Sequence, residues 1–371
     1  MTVSEFAPAS WEQPLSCIVG WMAFLVWVAS VPACTQVMTQ MVQGMALIGN
    51  PNANVLELWQ ATLTIFMFLV LTFAFNIFLA KYLPLVEGIM VTSCIARLAC
   101  HGSFASQYGA QLVIHVVAFV TFLILLWVMV DHPPADVVFS HFYDGGEWVS
   151  FGLATLVGIS TPLWGFVGPD AGAHMSEEPK DASLQLPRAM MWATFFNGVM
   201  GIPMLITFCF CISSIDDVVH SASGQPIMDF IYAATGSYAA TRVLGTLLLV
   251  LYFFGACNVL AAASRQDGGF PYSAWFSKVK KGQALNAVYL CAIISFVLAV
   301  INFGWTVALS AIISVSNAAL IFSYIVSVGR IAIKRIRGEP LLARRWDLGW
   351  MGLPINLVSL AFLLVSFVFS L

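Results

Sequence analysis

Thr161-Pro162-Leu163-Trp164-Gly165-Phe166-Val167-Gly168-Pro169-Asp170-Ala171-Gly172 sits inside an apolar stretch, residues 148–176, that only Asp170 and His174 interrupt before its end. The stretch is too long for a straight transmembrane helix, which needs about 20 residues to cross roughly 30 Å of hydrocarbon. Its centre is also poor helix material. Pro169 has no N–H to donate and its ring clashes with the preceding turn, while Gly165 and Gly168 admit dihedrals that other residues avoid. The sequence predicts that regular helix is lost somewhere in 163–170.

Irregular backbone at membrane depth is stable only where protein or a water-filled cavity surrounds it. Secondary transporters use such interruptions to present peptide groups and half-helix dipoles to a solute. Trp164, Gly165, Phe166, Gly168 and Asp170 are therefore candidate substrate-binding residues; the alternative is a proline kink with no ligand. Asp170 bears on the choice. A carboxylate at the helix centre costs about 2.5–3.5 kcal/mol on insertion scales and needs a partner or water. The other reading of Asp170 puts it in the headgroup region, capping the second half-helix.

The rest of the chain fits a bilayer. It is 60% hydrophobic and 9% charged, whereas a soluble domain carries roughly 25% charged residues. Nine apolar runs are long enough to cross: 15–38, 59–80, 112–130, 149–176, 189–212, 243–264, 284–303, 306–328 and 351–371. With the N-terminus in the cytoplasm, fourteen of the fifteen Lys and Arg residues fall on the cytoplasmic side, leaving only Arg242 outside. That is the positive-inside pattern. The outer loops are acidic instead, with Asp131, Asp136, Glu147 and Asp229 among them. Residues 91–111 are mildly apolar but hold Arg97 and His101. As a span they would put most of the later basic residues outside, so they are assigned to the cytoplasmic face or the interface.

Polar residues within the runs are sparse. Asn76, Asn197, Asn258, Asn317 and Asn356 each fall in a different run, and His115 in another; most of them read as interhelical hydrogen-bond donors and acceptors, worth about 0.6 kcal/mol on average. Asn258 stands out because Gly255-Ala256-Cys257-Asn258-Val259-Leu260-Ala261-Ala262-Ala263-Ser264 is rich in small residues that let a neighbouring backbone come close. Such a helix can wall a small binding site or simply pack tightly. Trp21 and Trp27 read as packing, and six of the eight cysteines as small buried thiols. There is no His-Glu-x-x-His helix, Gly-x-Ser-x-Gly elbow, P-loop or zinc-type spacing. No catalytic residue, metal, other cofactor or nucleic-acid partner is expected.

Three motifs carry a resemblance: Gly168-Pro169-Asp170-Ala171-Gly172-Ala173-His174-Met175-Ser176-Glu177-Glu178 with Pro187-Arg188, then Asn258 to Arg265 leading to Asp267-Gly268-Gly269-Phe270-Pro271, and Arg337-Gly338-Glu339-Pro340-Leu341. Together the chain resembles the fungal amino-acid, GABA and choline permeases of the amino acid–polyamine–organocation superfamily. The resemblance implies an all-α, five-plus-five inverted-repeat transporter bundle in which the family's first and sixth helices are broken around the substrate. The run at 149–176 then corresponds to the sixth helix, with Trp164 as an aromatic gate. Asn258 lies on the eighth helix beside the cavity, and Glu177, Glu178 and Arg188 belong to a cytoplasmic gate. The implied activity is secondary active transport of a small amino acid or amine (GABA or choline among them), with H+ as candidate coupling ion. The implied location is the plasma or vacuolar membrane.

Against the family pattern, about nine of twelve spans are expected in a single partial permease domain, 1–371, with the first, second and twelfth missing and residues 91–111 a non-family insertion. The alternative function is therefore a transport-incompetent permease fragment. The threading has a direct check. Impermeant amine reagents applied to intact cells should leave Lys81, Lys280 and Lys334 unmodified and reach all three after permeabilisation; modification of Lys280 or Lys334 in intact cells would break the topology.

Overall fold

The apolar runs fold as helices because the helix satisfies every backbone N–H and C=O group within one segment of hydrocarbon. The computed structural model describes residues 6–8, 10–50, 52–54, 57–79, 105–140, 146–159, 162–163, 165–166, 168–169, 182–212, 215, 225–264, 284–301, 306–341 and 345–370. Its helices are, in order, α1 (Glu12–Gly49), α2 (Leu58–Phe78), α3 (Ala105–Met129), α4 (Ala135–Ser140), α5 (Phe151–Gly158), α6 (Ala182–Cys211), α7 (Pro226–Thr235), α8 (Tyr238–Ser264), α9 (Leu285–Val300), α10 (Thr306–Ile336) and α11 (Gly352–Val368). Six of these, α1, α2, α6, α8, α10 and α11, are long and apolar enough to cross a membrane, and α9 and the 115–129 part of α3 are shorter apolar helices. With the interrupted run that contains α5, they account for the nine predicted runs. The protein is an all-α, multi-pass membrane protein.

Helix α1 is the hub. At 38 residues it is about 57 Å long, nearly twice the hydrocarbon thickness, and it packs along α8, α10, α2, α9 and α7. Phe24, Trp27, Val28 and Val31 of α1 meet Ile65, Leu69 and Phe73 of α2, Leu260, Ala262 and Ala263 of α8, and Val288 and Cys291 of α9. The small-residue row of α8 is the reason for this close approach: Ala256, Cys257, Ala261, Ala262, Ala263 and Ser264 are all buried. Trp27 is a packing residue, 3% exposed. A second cluster joins the far end of α1 to the rest through Met41, Phe122 of α3, Met228 and Ile231 of α7, and Leu244 of α8.

The two ends of α1 face different chemistry. At its start, the Arg330 guanidinium donates from Nε and Nη2 to the Phe6 carbonyl at 3.2 and 2.9 Å, and Lys334 Nζ lies 5.4 Å from the centre of the Phe6 ring. At its finish, the Arg242 guanidinium lies against Gly49, where a Cβ would collide with it. Arg242, the one base assigned to the outer side, thus lies at the opposite end of α1 from Arg330 and Lys334. On α10, Arg335 donates to Asn356 Oδ1 of α11 at 3.1 Å.

Several details differ from the sequence expectation. Helix α1 continues past residue 38 to Gly49, and α10 continues past 328 to Ile336. Helix α3 begins at Ala105, so residues 105–111 of the supposed insertion are helical, while 91–104 lie outside the described residues. Of the cysteines expected to be buried, Cys211, Cys257 and Cys291 are, Cys34 is half-buried, and Cys17 and Cys209 are exposed.

The α1–α8 contact gives a stability prediction. Ala263 is fully buried in the small-residue row, so Ala263→Leu overpacks it and should cost about 1–3 kcal/mol. Thermal unfolding of the purified protein in detergent should show a lowered midpoint, with Val250→Leu, at a 40% exposed position of the same helix, close to wild type.

Candidate functional site

Helix α5 starts cleanly. Ser150 is its N-cap, and the Oγ accepts the Leu153 N–H at 3.3 Å. It then ends at Gly158, after 8 residues, about 12 Å of rise. The Ile159 N–H reaches back only to Leu156 O, 3.3 Å away. Pro162 and Leu163 open one further helical turn, closed by Gly165 N–H to Pro162 O at 3.0 Å and Phe166 N–H to Leu163 O at 2.9 Å. Gly168 follows with φ +125°. A residue before proline is pushed out of the helical region, and this positive φ is one that glycine tolerates at little cost. The described part of 163–170 therefore contains the predicted loss of regular helix. Trp164, Asp170, Glu177 and Glu178 lie outside the described residues.

The Phe166 side chain is 44% exposed and turns toward α6. A Cβ at Gly198 would lie 3.9 Å from the ring, so the glycine lets the aromatic face approach the helix backbone. Gly198 carries no signal in the sequence beyond its being a glycine mid-helix. Asn197 beside it is exposed and makes no hydrogen bond among the described residues. Asn197 is thus not one of the residues that link helices among those described. An unpaired carboxamide in hydrocarbon is costly, so a polar group or water at this position on α6 would stabilise it. Farther along α6, Trp192 stacks on Phe196 at 5.6 Å, with Phe195 edge-on to both. Only 11% of the apolar window of α6 is buried, against 50% for α1.

Asn258 is half-buried on α8. Its Oδ1 is enclosed yet has no hydrogen-bond partner among the described residues. One residue earlier, the Cys257 carbonyl accepts the Asn76 Nδ2 at 3.3 Å, and Asn76 also donates to Thr72 O at 3.1 Å. Asn76 is thus the interhelical link expected of it, while the adjacent Asn258 presents an unused acceptor. Arg188 is exposed one turn into α6. The structure brings Phe166 to Gly198 and Asn76 to Cys257; among the described residues it does not join these two places into one enclosed site.

The sequence model of the amino acid permease family matches residues 2–371. The chain is 27% identical over 382 residues to a protein of Macrophomina phaseolina assigned as an amino acid/polyamine transporter, covering 99% of this chain and 79% of that one. It is 30% identical over 246 residues to a choline transporter of Saccharomyces cerevisiae, covering 63% of this chain and 43% of that one. It is 28% identical over 213 residues to a thiamine transporter of Schizosaccharomyces pombe, covering 54% and 36%. The chain thus spans most of the first relative's length and less than half of the other two. These relatives are permeases and not enzymes, and this chain belongs to the amino acid permease family.

Proposed function

We propose that this chain moves a small amino acid or related amine, such as GABA or choline, across a membrane by secondary active transport. The observation that carries the reading is the broken span. Helix stops at Gly158 and the backbone turns at Pro162, Leu163, Gly165, Phe166 and Gly168 within a run that a bilayer would otherwise require to be helical. Peptide groups released by such a break are suited to hold a solute's charged ends. The aromatic faces of Trp164 and Phe166 suit an ammonium group through cation–π attraction. The unused Asn258 Oδ1 suits an N–H donor. Choline and thiamine, named for two of the relatives, both carry a cationic nitrogen. We place the N-terminus in the cytoplasm, the protein in the plasma or vacuolar membrane, and H+ as the coupling ion. Glu177, Glu178 and Arg188 would form the cytoplasmic gate and Asp170 would answer to pH.

The test is uptake of labelled choline, GABA and neutral amino acids into cells expressing the chain, with and without a protonophore. Saturable uptake of at least one, abolished by the protonophore, is the expected result. No uptake of any with the protein present in the membrane would favour a transport-incompetent permease fragment. In a transporting chain, Phe166→Ala should lower kcat/KM for a cationic substrate by roughly 3- to 30-fold. Asn258→Ala should cost roughly 10- to 100-fold for a substrate bearing an N–H on its charged group. Asp170→Asn should flatten the pH dependence of uptake; an unchanged profile would assign Asp170 to helix capping.

A further inference from the structure

Helices α3 and α6 end side by side, and one imidazole lies between their last turns. Helix α3 stops at Met129 because Pro133 and Pro134 follow within a turn and cannot continue it. The chain bends and restarts as α4, with the Val137 N–H on Pro134 O at 3.1 Å. The bend folds His132 back, so that Nε2 is 3.2 Å from Trp127 O. Nδ1 is 3.4 Å from Phe210 O and 3.8 Å from Cys211 Sγ. Both carbonyls belong to the final turn of a helix, where intrahelical N–H partners run out and the helix dipole is negative. Trp127 fixes the ring's other face: its indole centre is 4.5 Å from the imidazole. The indole N–H donates to Thr207 Oγ1 of α6 at 2.9 Å, and that hydroxyl donates to Pro203 O at 2.8 Å.

These contacts support two hydrogen-bond arrangements. A neutral imidazole has one N–H and one acceptor nitrogen. With the hydrogen on Nε2, the ring donates to Trp127 O and Nδ1 accepts the Cys211 S–H. Phe210 O then receives nothing from the ring. Adding a proton to Nδ1 turns it into a donor to Phe210 O, and the thiol hydrogen swings to Leu126 O, 3.7 Å from Sγ. The two arrangements differ by one proton and the rotation of one S–H bond. In the charged arrangement the ring donates to the final turns of both helices. Among the described residues, Cys211 is the titratable group in contact with the ring. Described ionisable groups on the elements packed here also include Asp131 on the same turn, Asp136 on α4, Cys209 on α6, and Asp229 and Tyr232 on α7, with His115 of α3 and Arg188 of α6 farther from these ends.

We propose that His132 is a proton-binding site that fastens the ends of α3 and α6 to each other when it is charged. Histidine is the side chain whose charge changes between about pH 5 and 8, so the fastening responds to the pH of the face on which it sits. On the topology proposed above that face is extracytoplasmic; the site itself does not depend on transport.

Hydrogen exchange of the purified protein in lipid nanodiscs at pH 5.5 and 7.5 tests this, with each rate divided by the intrinsic rate at that pH. Wild-type protection of the last turn of α6 should rise at least about 3-fold at the lower pH, where the imidazole takes up its proton. His132→Gln, neutral at both pH values, should show no rise. His132→Arg, charged at both, should hold the low-pH level throughout. Equal wild-type protection at the two pH values, or a wild-type rise in the Gln variant, would overturn the proposal. If the Gln variant does not fold, a wild-type rise in the Arg variant overturns it equally.

Discussion

Hydrocarbon offers no hydrogen bonds, and every feature of this chain answers to that fact. A backbone group left without a partner in lipid costs several kcal/mol, so helix is the default wherever the chain is apolar. The break between Gly158 and Pro169 is therefore informative in a way a loop on a soluble protein is not. It persists only if protein or water surrounds it. The exposed Asn197 and the enclosed, unpartnered Asn258 oxygen make the same demand from two other helices.

The bundle divides its labour accordingly. Around α1, small side chains on α8 let backbones approach, and the result is a tightly filled core from Phe24 to Val31. The α3–α6 side is covered much less. Among the described residues, a short apolar seam of Leu126, Cys211 and Ala234 closes it at one end, and Trp192 and Phe195 are left exposed. A filled scaffold beside a helix that the described residues cover sparsely suits a carrier, because the scaffold holds its place while the α6 side can shift.

Much of this was legible in the residue order, because the physics involved is local. Proline and glycine interrupt a helix wherever they occur, so the loss of helix at 163–170 could be read directly. The small residues of 255–264 announced close packing, and Asn76 its interhelical bond. What escaped depends on contacts distant in sequence. Residues 39–49 hold Gln40, Gln43 and Gly44 and read as the exit from a span, yet α1 continues because α7 and α8 cover it, with Gly44 set against Met228. Helix α7 went unread between two apolar runs, although Pro226 at its start and Gly236 beyond its end were the usual boundary signals. Which of the Asn residues link helices could not be read, because exposure cannot be seen in a helical pattern that is apolar all round. The His132 contacts join residues nearly eighty positions apart, and no spacing rule predicts them.

The central claim is that the broken stretch faces water and a solute instead of lipid. Single cysteines placed at Gly165, Phe166 and Ile293, in a background without native cysteines and reacted with a membrane-impermeant thiol reagent in inside-out and right-side-out vesicles, test it most directly. The account predicts rapid labelling at 165 and 166, slowed by a transported amine, and none at 293, an exposed apolar position on α9. Positions 165 and 166 as inert as 293, from both sides, would contradict it.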